Sequence, residues 1–107
     1  MSAASSSIFG ARLKEARLVA GLSQKQLGIE AGLAPFVAST RINRYELGIH
    51  KVDYTFAICL AAMLHVPVAF LYAEDPELAQ LILAFGRLPK RKRADLLALA
   101  RALESGS

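Results

Sequence analysis

One cysteine, four prolines and an aromatic content of 7% are sparse provision for a chain of 107 residues, and each scarcity removes a class of protein. Cys59 stands alone, which excludes an intrachain disulfide and any cysteine-based zinc cluster, and points to a reducing, cytoplasmic compartment. Few prolines beside 54% hydrophobic residues exclude the polar, proline-rich bias of a disordered protein. β-Branched residues are scattered and form no alternating runs, so sheet folds find no support. The start, MSAASSSIFG, has neither a basic n-region nor a continuous apolar stretch and does not read as a secretory signal. A short disordered tail over 1–7 is the expectation.

The usual marks of an enzyme are missing too: no paired acid and base, no nucleophile arrangement and no glycine-rich phosphate loop. No metal or other cofactor is implied. His50 and His65 lie far apart without neighbouring ligands, and read as a loop residue and a helix end. Tyr45, Tyr54 and Tyr72 read as core or helix-end packing, and Cys59 as a small core residue. The uncharged stretch from Phe56 to Tyr72 approaches the length of a membrane span. His65 and Pro67 divide it into two helices, each too short to cross, so no membrane is expected.

What is present is rich in Ala and Leu, long enough for one domain, and patterned for helices. Phe9, Leu13, Ala16 and Ala20 make one stripe of a first helix from about Ile8, which Gly21 stops. Ser23 and Gln26 form an S-x-x-Q capping box for a second helix ending near Ala31. Gly32 marks a turn, and Pro35 suits the first turn of a third helix, which Gly48 ends. Asp53 caps a fourth helix with the apolar face Phe56, Leu60 and Leu64. A short fifth helix opens at Pro67, a sixth runs from Pro76 to about Phe85, and Gly86 and Pro89 mark a break before a leucine-striped seventh.

The formal charge of +4 is unevenly placed. Residues 1–52 hold seven basic and three acidic side chains, whereas residues 53–107 hold six of each. That asymmetry suits a polyanion partner on the first half.

Gln24 to Gly48 carries the most information. Gly28 lies inside the second helix, where glycine costs about 1 kcal/mol relative to alanine, and a close helix crossing would account for it. Leu27 and Leu33 bracket the turn, and Ile42 and Tyr45 can seat the third helix with its other side open. At these residues the chain resembles the Xre/Cro-type helix-turn-helix family, the DNA-binding domains like that of the lambda repressor. The matching text is RLKEARLVAGLSQKQLGIEAGL, then INRYELG, then LAAMLHVPVAFLY, over about Ile8 to Tyr72.

The resemblance implies a five-helix lambda repressor-like bundle over 8–73; outside it, the periodicity adds about two further helices over 74–104 to an all-α fold, with a tail over 105–107. It also implies a sequence-specific transcriptional regulator of double-stranded DNA, with the third helix, about 35–46, in the major groove. Ser39, Thr40 and Arg44 match base-contacting positions, with Arg41 and Asn43 beside them. Arginine can bond guanine, asparagine adenine, and a threonine methyl can touch thymine. Ser23 and Gln24, at a helix N-terminus, and Lys51, in the following loop, match phosphate-contacting positions. The fourteen-residue interval from Gly32 to Glu46 is about one helical turn longer than the family's. Either a longer third helix or a longer loop accommodates it, and the former brings Pro35 or Phe36 nearer the DNA.

Arg17 falls on the apolar stripe of the first helix and needs an anion there. In the resembled family an arginine at this position pairs with the glutamate matching Glu46, which implies a structural salt bridge. The C-terminal leucine faces suggest a homodimer, hence a pseudo-palindromic operator, and a repressor acting by promoter occlusion. An alternative is an antitoxin or adaptor whose C-terminal leucine face binds a different protein. Lys90 to Arg93 opposes the dipole of the last helix and reads either as a solvated helix start or as a second phosphate patch.

Overall fold

The structure, a computed structural model, describes residues 2–106, with side chains from Ile8 onward. Six α-helices and one 3₁₀ segment follow in order: α1 (Ser2–Ala20), α2 (Gln24–Glu30), α3 (Pro35–Glu46), α4 (Tyr54–Leu64), the 3₁₀ segment (Val68–Tyr72), α5 (Pro76–Arg87) and α6 (Lys90–Gly106). There is no strand among the described residues. No helix among them is long and apolar enough to cross a membrane.

Local chemistry sets most of these boundaries. The Ser23 hydroxyl accepts from the Gln26 N–H at 2.9 Å while the Gln26 side chain accepts from the Ser23 N–H at 2.8 Å, a complete capping box. Asp53 caps α4 through the Phe56 N–H at 2.8 Å, and Asp75 caps α5 through the Glu77 N–H at 2.9 Å. Gly32 turns the chain between α2 and α3 at φ +99°, a conformation that a side chain would strain. His65 ends α4 in the left-handed region at φ 58°.

Four details depart from the sequence reading. α1 starts at Ser2, so residues 2–7 are helical where a tail was expected. A helix already nucleated extends at the gain of one hydrogen bond per residue, and Ala3 and Ala4 favour that extension. At the other end α6 continues to Gly106, with the Ser105 hydroxyl donating back to the Arg101 carbonyl at 3.0 Å. Met1 and Ser107 lie outside the described residues. The fifth helix is a 3₁₀ segment, a geometry suited to so short a piece, and six α-helices replace the seven expected. Gly86 does not break α5, which continues to Arg87. A Cβ at Gly86 would stand 2.7 Å from Pro67 Cγ, so this glycine serves packing.

The core draws Leu13 from α1, Leu27 from α2, Ile42 from α3, Leu60 from α4 and Phe70 and Leu71 from the 3₁₀ segment, all fully buried. α5 joins it through Ala79, with Ile82 and Leu83 packed at the margin. α6 contributes no buried residue. Arg12 secures the 3₁₀ segment to α1: its Nε donates to the Ala73 carbonyl at 2.8 Å and its Nη2 to the Glu74 carbonyl at 3.1 Å, and its guanidinium lies 5.8 Å from the Phe70 ring centroid. Cys59 is half-buried beside α2, its sulfur 3.8 Å from the Ala31 carbonyl. Tyr45 is buried against Phe56, Tyr72 packs on Phe9, and Tyr54 is exposed.

Two glycines allow helices to touch backbone to backbone. A Cβ at Gly28 would meet Ala38 Cβ at 2.7 Å, so α2 and α3 cross in close contact. A Cβ at Gly10 would strike the Glu46 carbonyl oxygen and approach the Tyr45 carbonyl oxygen to 2.8 Å, so α1 presses on the end of α3. The obstacle at Gly10 is backbone and cannot rotate aside. Gly10→Ala is therefore expected to lower stability by about 1–3 kcal/mol despite alanine's better helix propensity. Urea denaturation checks this, and an unchanged or raised midpoint would contradict the close approach.

Candidate nucleic-acid interface

α3 has two faces fixed by its sequence. Ala38, Ile42, Tyr45 and Glu46 are buried at helical spacing, while Ser39, Thr40, Arg41, Asn43 and Arg44 are all exposed on the other side. The four residues 31–34 separate α2 from α3. The long interval between Gly32 and Glu46 is thus taken up as helix, since α3 begins at Pro35. Ser39 and Thr40 accordingly sit mid-helix, and Phe36 stands in the first turn.

The structure brings Arg17 and Glu46 together in a buried, two-pronged ion pair. Arg17 Nε donates to Glu46 Oε2 at 2.6 Å and Nη2 donates to Oε1 at 3.1 Å, with relative side-chain exposures of only 9% and 3%. Arg17 Nη1 donates to the Leu22 carbonyl at 3.0 Å, just before the capping box of α2. Gln24 completes the network from the first residue of α2, its Nε2 donating to Glu46 Oε1 at 3.0 Å and to Asn43 Oδ1 at 3.1 Å. No buried side-chain polar atom among the described residues lacks a partner. Charges taken out of water need this completeness, because an unpaired buried charge is costly.

The network bears on two of the residues singled out from sequence. Gln24 is half-buried and its amide nitrogen is engaged, so any phosphate contact there falls to the N–H groups at the start of α2. Asn43 is exposed with its acceptor oxygen facing Gln24, leaving its amide nitrogen as the free group. Arg41 makes no hydrogen bond or ion pair among the described residues. Arg44 Nη1 lies 3.4 Å from His50 Nε2 in the loop after α3, where Lys51 is exposed. Ser23 is exposed, and its hydroxyl, already accepting from Gln26, retains a proton to donate.

Sequence reasoning missed three arginine and glutamine assignments. The first is Arg12, which is bound intramolecularly as Arg17 is, so of the basic residues in the first half Lys14, Lys25, Arg41, Arg44 and Lys51 form the exposed set. Arg93 gives a structural reason for one member of the basic run at the start of α6. Its Nε donates to the Phe85 carbonyl at 3.0 Å and its Nη2 to the Gly86 carbonyl at 2.9 Å, capping α5 while lying 5.1 Å from the Phe85 ring centroid. The third is the Gln24 link to Glu46 and Asn43. Only its position at the start of α2 was visible beforehand, because its partners lie 19 and 22 residues away.

A capped α2, a four-residue turn and an α3 with one buried and one polar face define an all-α helix-turn-helix protein. No family model matches the chain, and no curated protein matches it. Among solved structures it is similar to the crystal structure of the transcriptional regulator BswR, at 42% identity and a TM-score of 0.82, over 86% of this chain and 91% of that one. The chain belongs to the family of transcriptional regulators that includes BswR.

Glu46→Ala is expected to cost about 3–5 kcal/mol, since it strands Arg17 in the core. Arg44→Ala, on the exposed face, is expected to stay within about 0.5 kcal/mol of the parent. Thermal and urea denaturation of the two variants would settle the contrast, and similar losses would contradict the division of α3 into structural and free faces.

Proposed function

We propose that the chain is a sequence-specific regulator of the Xre/Cro type that binds double-stranded DNA as a homodimer and represses by occlusion. The observation that carries this reading is the unobstructed polar face of α3, held at a fixed angle by the buried Arg17–Glu46 pair. An α-helix with its side chains is about as wide as the major groove of B-DNA. In this reading α3 enters that groove, and Ser39, Thr40, Arg41 and Arg44 contact base edges, with Asn43 beside them. The N–H groups of Gln24 and Lys25 have no acceptor within α2 and, with Ser23 and Lys51, hold phosphate. The free cysteine and the DNA partner fit a cytoplasmic protein.

The homodimer rests on α5 and α6. An apolar groove of about 440 Å³ runs between them, lined by Leu78, Leu81, Ile82, Phe85, Leu96 and Leu97 among others. Leu97, Leu99 and Leu103 of α6 are half or more exposed. A helix of seventeen residues with nothing buried has little to hold it as a monomer, and a second copy would cover it. The same face favours a second reading, an antitoxin or adaptor that covers its leucines with a different protein. Light scattering separates these: a dimer of the purified chain supports the first, and a monomer that copurifies with another polypeptide supports the second.

Selection from a random duplex pool is the test of DNA reading, and an enriched inverted repeat is the expected outcome. No enrichment from well-folded protein would overturn it. On the selected site, Arg44→Ala should lose about 1–3 kcal/mol of binding while sparing weak general affinity, and Lys51→Ala should weaken all sequences alike. Leu97→Asp should yield monomers that bind the full repeat far more weakly. Affinity should also fall steeply with salt, because gripped phosphates release counterions.

A further inference from the structure

Phe36 is the large hydrophobic side chain that the fold explains least. It is 89% exposed, more than any other large hydrophobic among the described residues, and it stands at the second position of α3. Pro35, at the first position, fixes where the helix begins, so Phe36 occupies a defined place in an ordered first turn. Apart from the half-buried Val37, its neighbours on the same side are polar or cationic. Phe36, Val37, Thr40, Arg41 and Arg44 line one shallow groove of about 230 Å³.

The spacing is informative. Phe36, Thr40 and Arg44 recur every fourth residue, which aligns them along one ridge of α3. That ridge is about 12 Å long and would pass over roughly three to four base pairs. Its chemistry is graded: an aromatic ring at the N-terminal end, a hydroxyl with a methyl in the middle, a guanidinium at the far end. A second copy is a poor occupant for this patch, because it would bring Arg41 and Arg44 against their own counterparts. A polyanion with apolar groups on its surface matches both properties, and the thymine C5-methyl is the apolar group that the major groove displays.

Resting on the reading of α3 as a base-contacting helix, we propose that Phe36 is a specificity-determining residue that packs on a thymine C5-methyl at one end of each half-site. The phenyl ring gains a contact at thymine that uracil, lacking the methyl, does not offer. Phe36 therefore adds selectivity without a hydrogen bond, and the one-turn extension of α3 is what carries it to the DNA.

The experiment measures dissociation constants on the selected duplex, with each thymine of a half-site replaced singly by uracil, for the parent chain and for Phe36→Ala and Phe36→Leu. One thymine-to-uracil change is expected to weaken the parent about fourfold, the factor for one buried methyl-sized group. Phe36→Ala should lose at least that factor on the thymine site and bind the two sites equally, while Phe36→Leu keeps part of the discrimination. Unchanged melting temperatures would show that the variants remain folded, as expected for so exposed a position. The proposal is overturned if Phe36→Ala binds the thymine site as the parent does, if the uracil effect persists in that variant, or if the half-site contains no thymine. Those outcomes leave DNA reading intact, whereas a parent chain that selects no sequence overturns both.

Discussion

The carboxylate of Glu46 is the joint at which three helices meet. It lies at the last residue of α3, takes both prongs of Arg17 from α1 and accepts from Gln24 at the start of α2. Arg17 in turn holds the Leu22 carbonyl of the α1–α2 loop. A purely apolar contact there would tolerate sliding, since dispersion and hydrophobic burial have little directionality. A fork-shaped guanidinium against a carboxylate fixes angle as well as distance. The pair is a weak net contributor to stability, and its value lies in holding α3 so that its outer face keeps one orientation.

Around this joint the packing is unusually close. Gly28 lets α2 meet α3 at Ala38, and Gly10 lets α1 lie against the last turn of α3 beside Glu46 itself. Small residues at both crossings bring backbones together, and the ion pair then spans a short gap inside a low-dielectric core. α3 is consequently supported along its whole inner face by Ala38, Ile42 and Tyr45, and its other side carries little structural duty beyond the Asn43 oxygen that accepts from Gln24. Polar and cationic side chains can vary there at small cost in stability, which is what a surface that distinguishes partners requires.

The C-terminal half divides differently. α5 belongs to the core through Ala79, whereas α6 is attached mainly through Arg93 and the margins of an open apolar groove. The arginines are also divided between two tasks. Arg12, Arg17 and Arg93 hold carbonyls or a carboxylate within the chain, and Arg41 and Arg44 point outward. Net charge counts both groups alike, so the electrostatic face of this protein is smaller and better focused than its composition implies.

Much of this was legible in the sequence because it depends on neighbours in the chain. The capping box at Ser23 and Gln26, the Gly32 turn, Pro35 at the start of α3 and the Asp53 cap are local hydrogen-bonding and dihedral requirements, and periodicity gave the apolar faces of α1, α3 and α4. Helix ends were read less well where propagation extended them, as at Ser2 and Gly106, and where Gly86 served packing and no break. Only the tertiary structure decided which polar groups are free. Gln24 and Asn43 look equally available in the sequence, yet each spends an atom on the other, and Gly10 and Arg93 gain their roles from partners brought close by folding. Local rules fix what a segment prefers, whereas the availability of a side chain depends on contacts between segments that no short window of sequence contains.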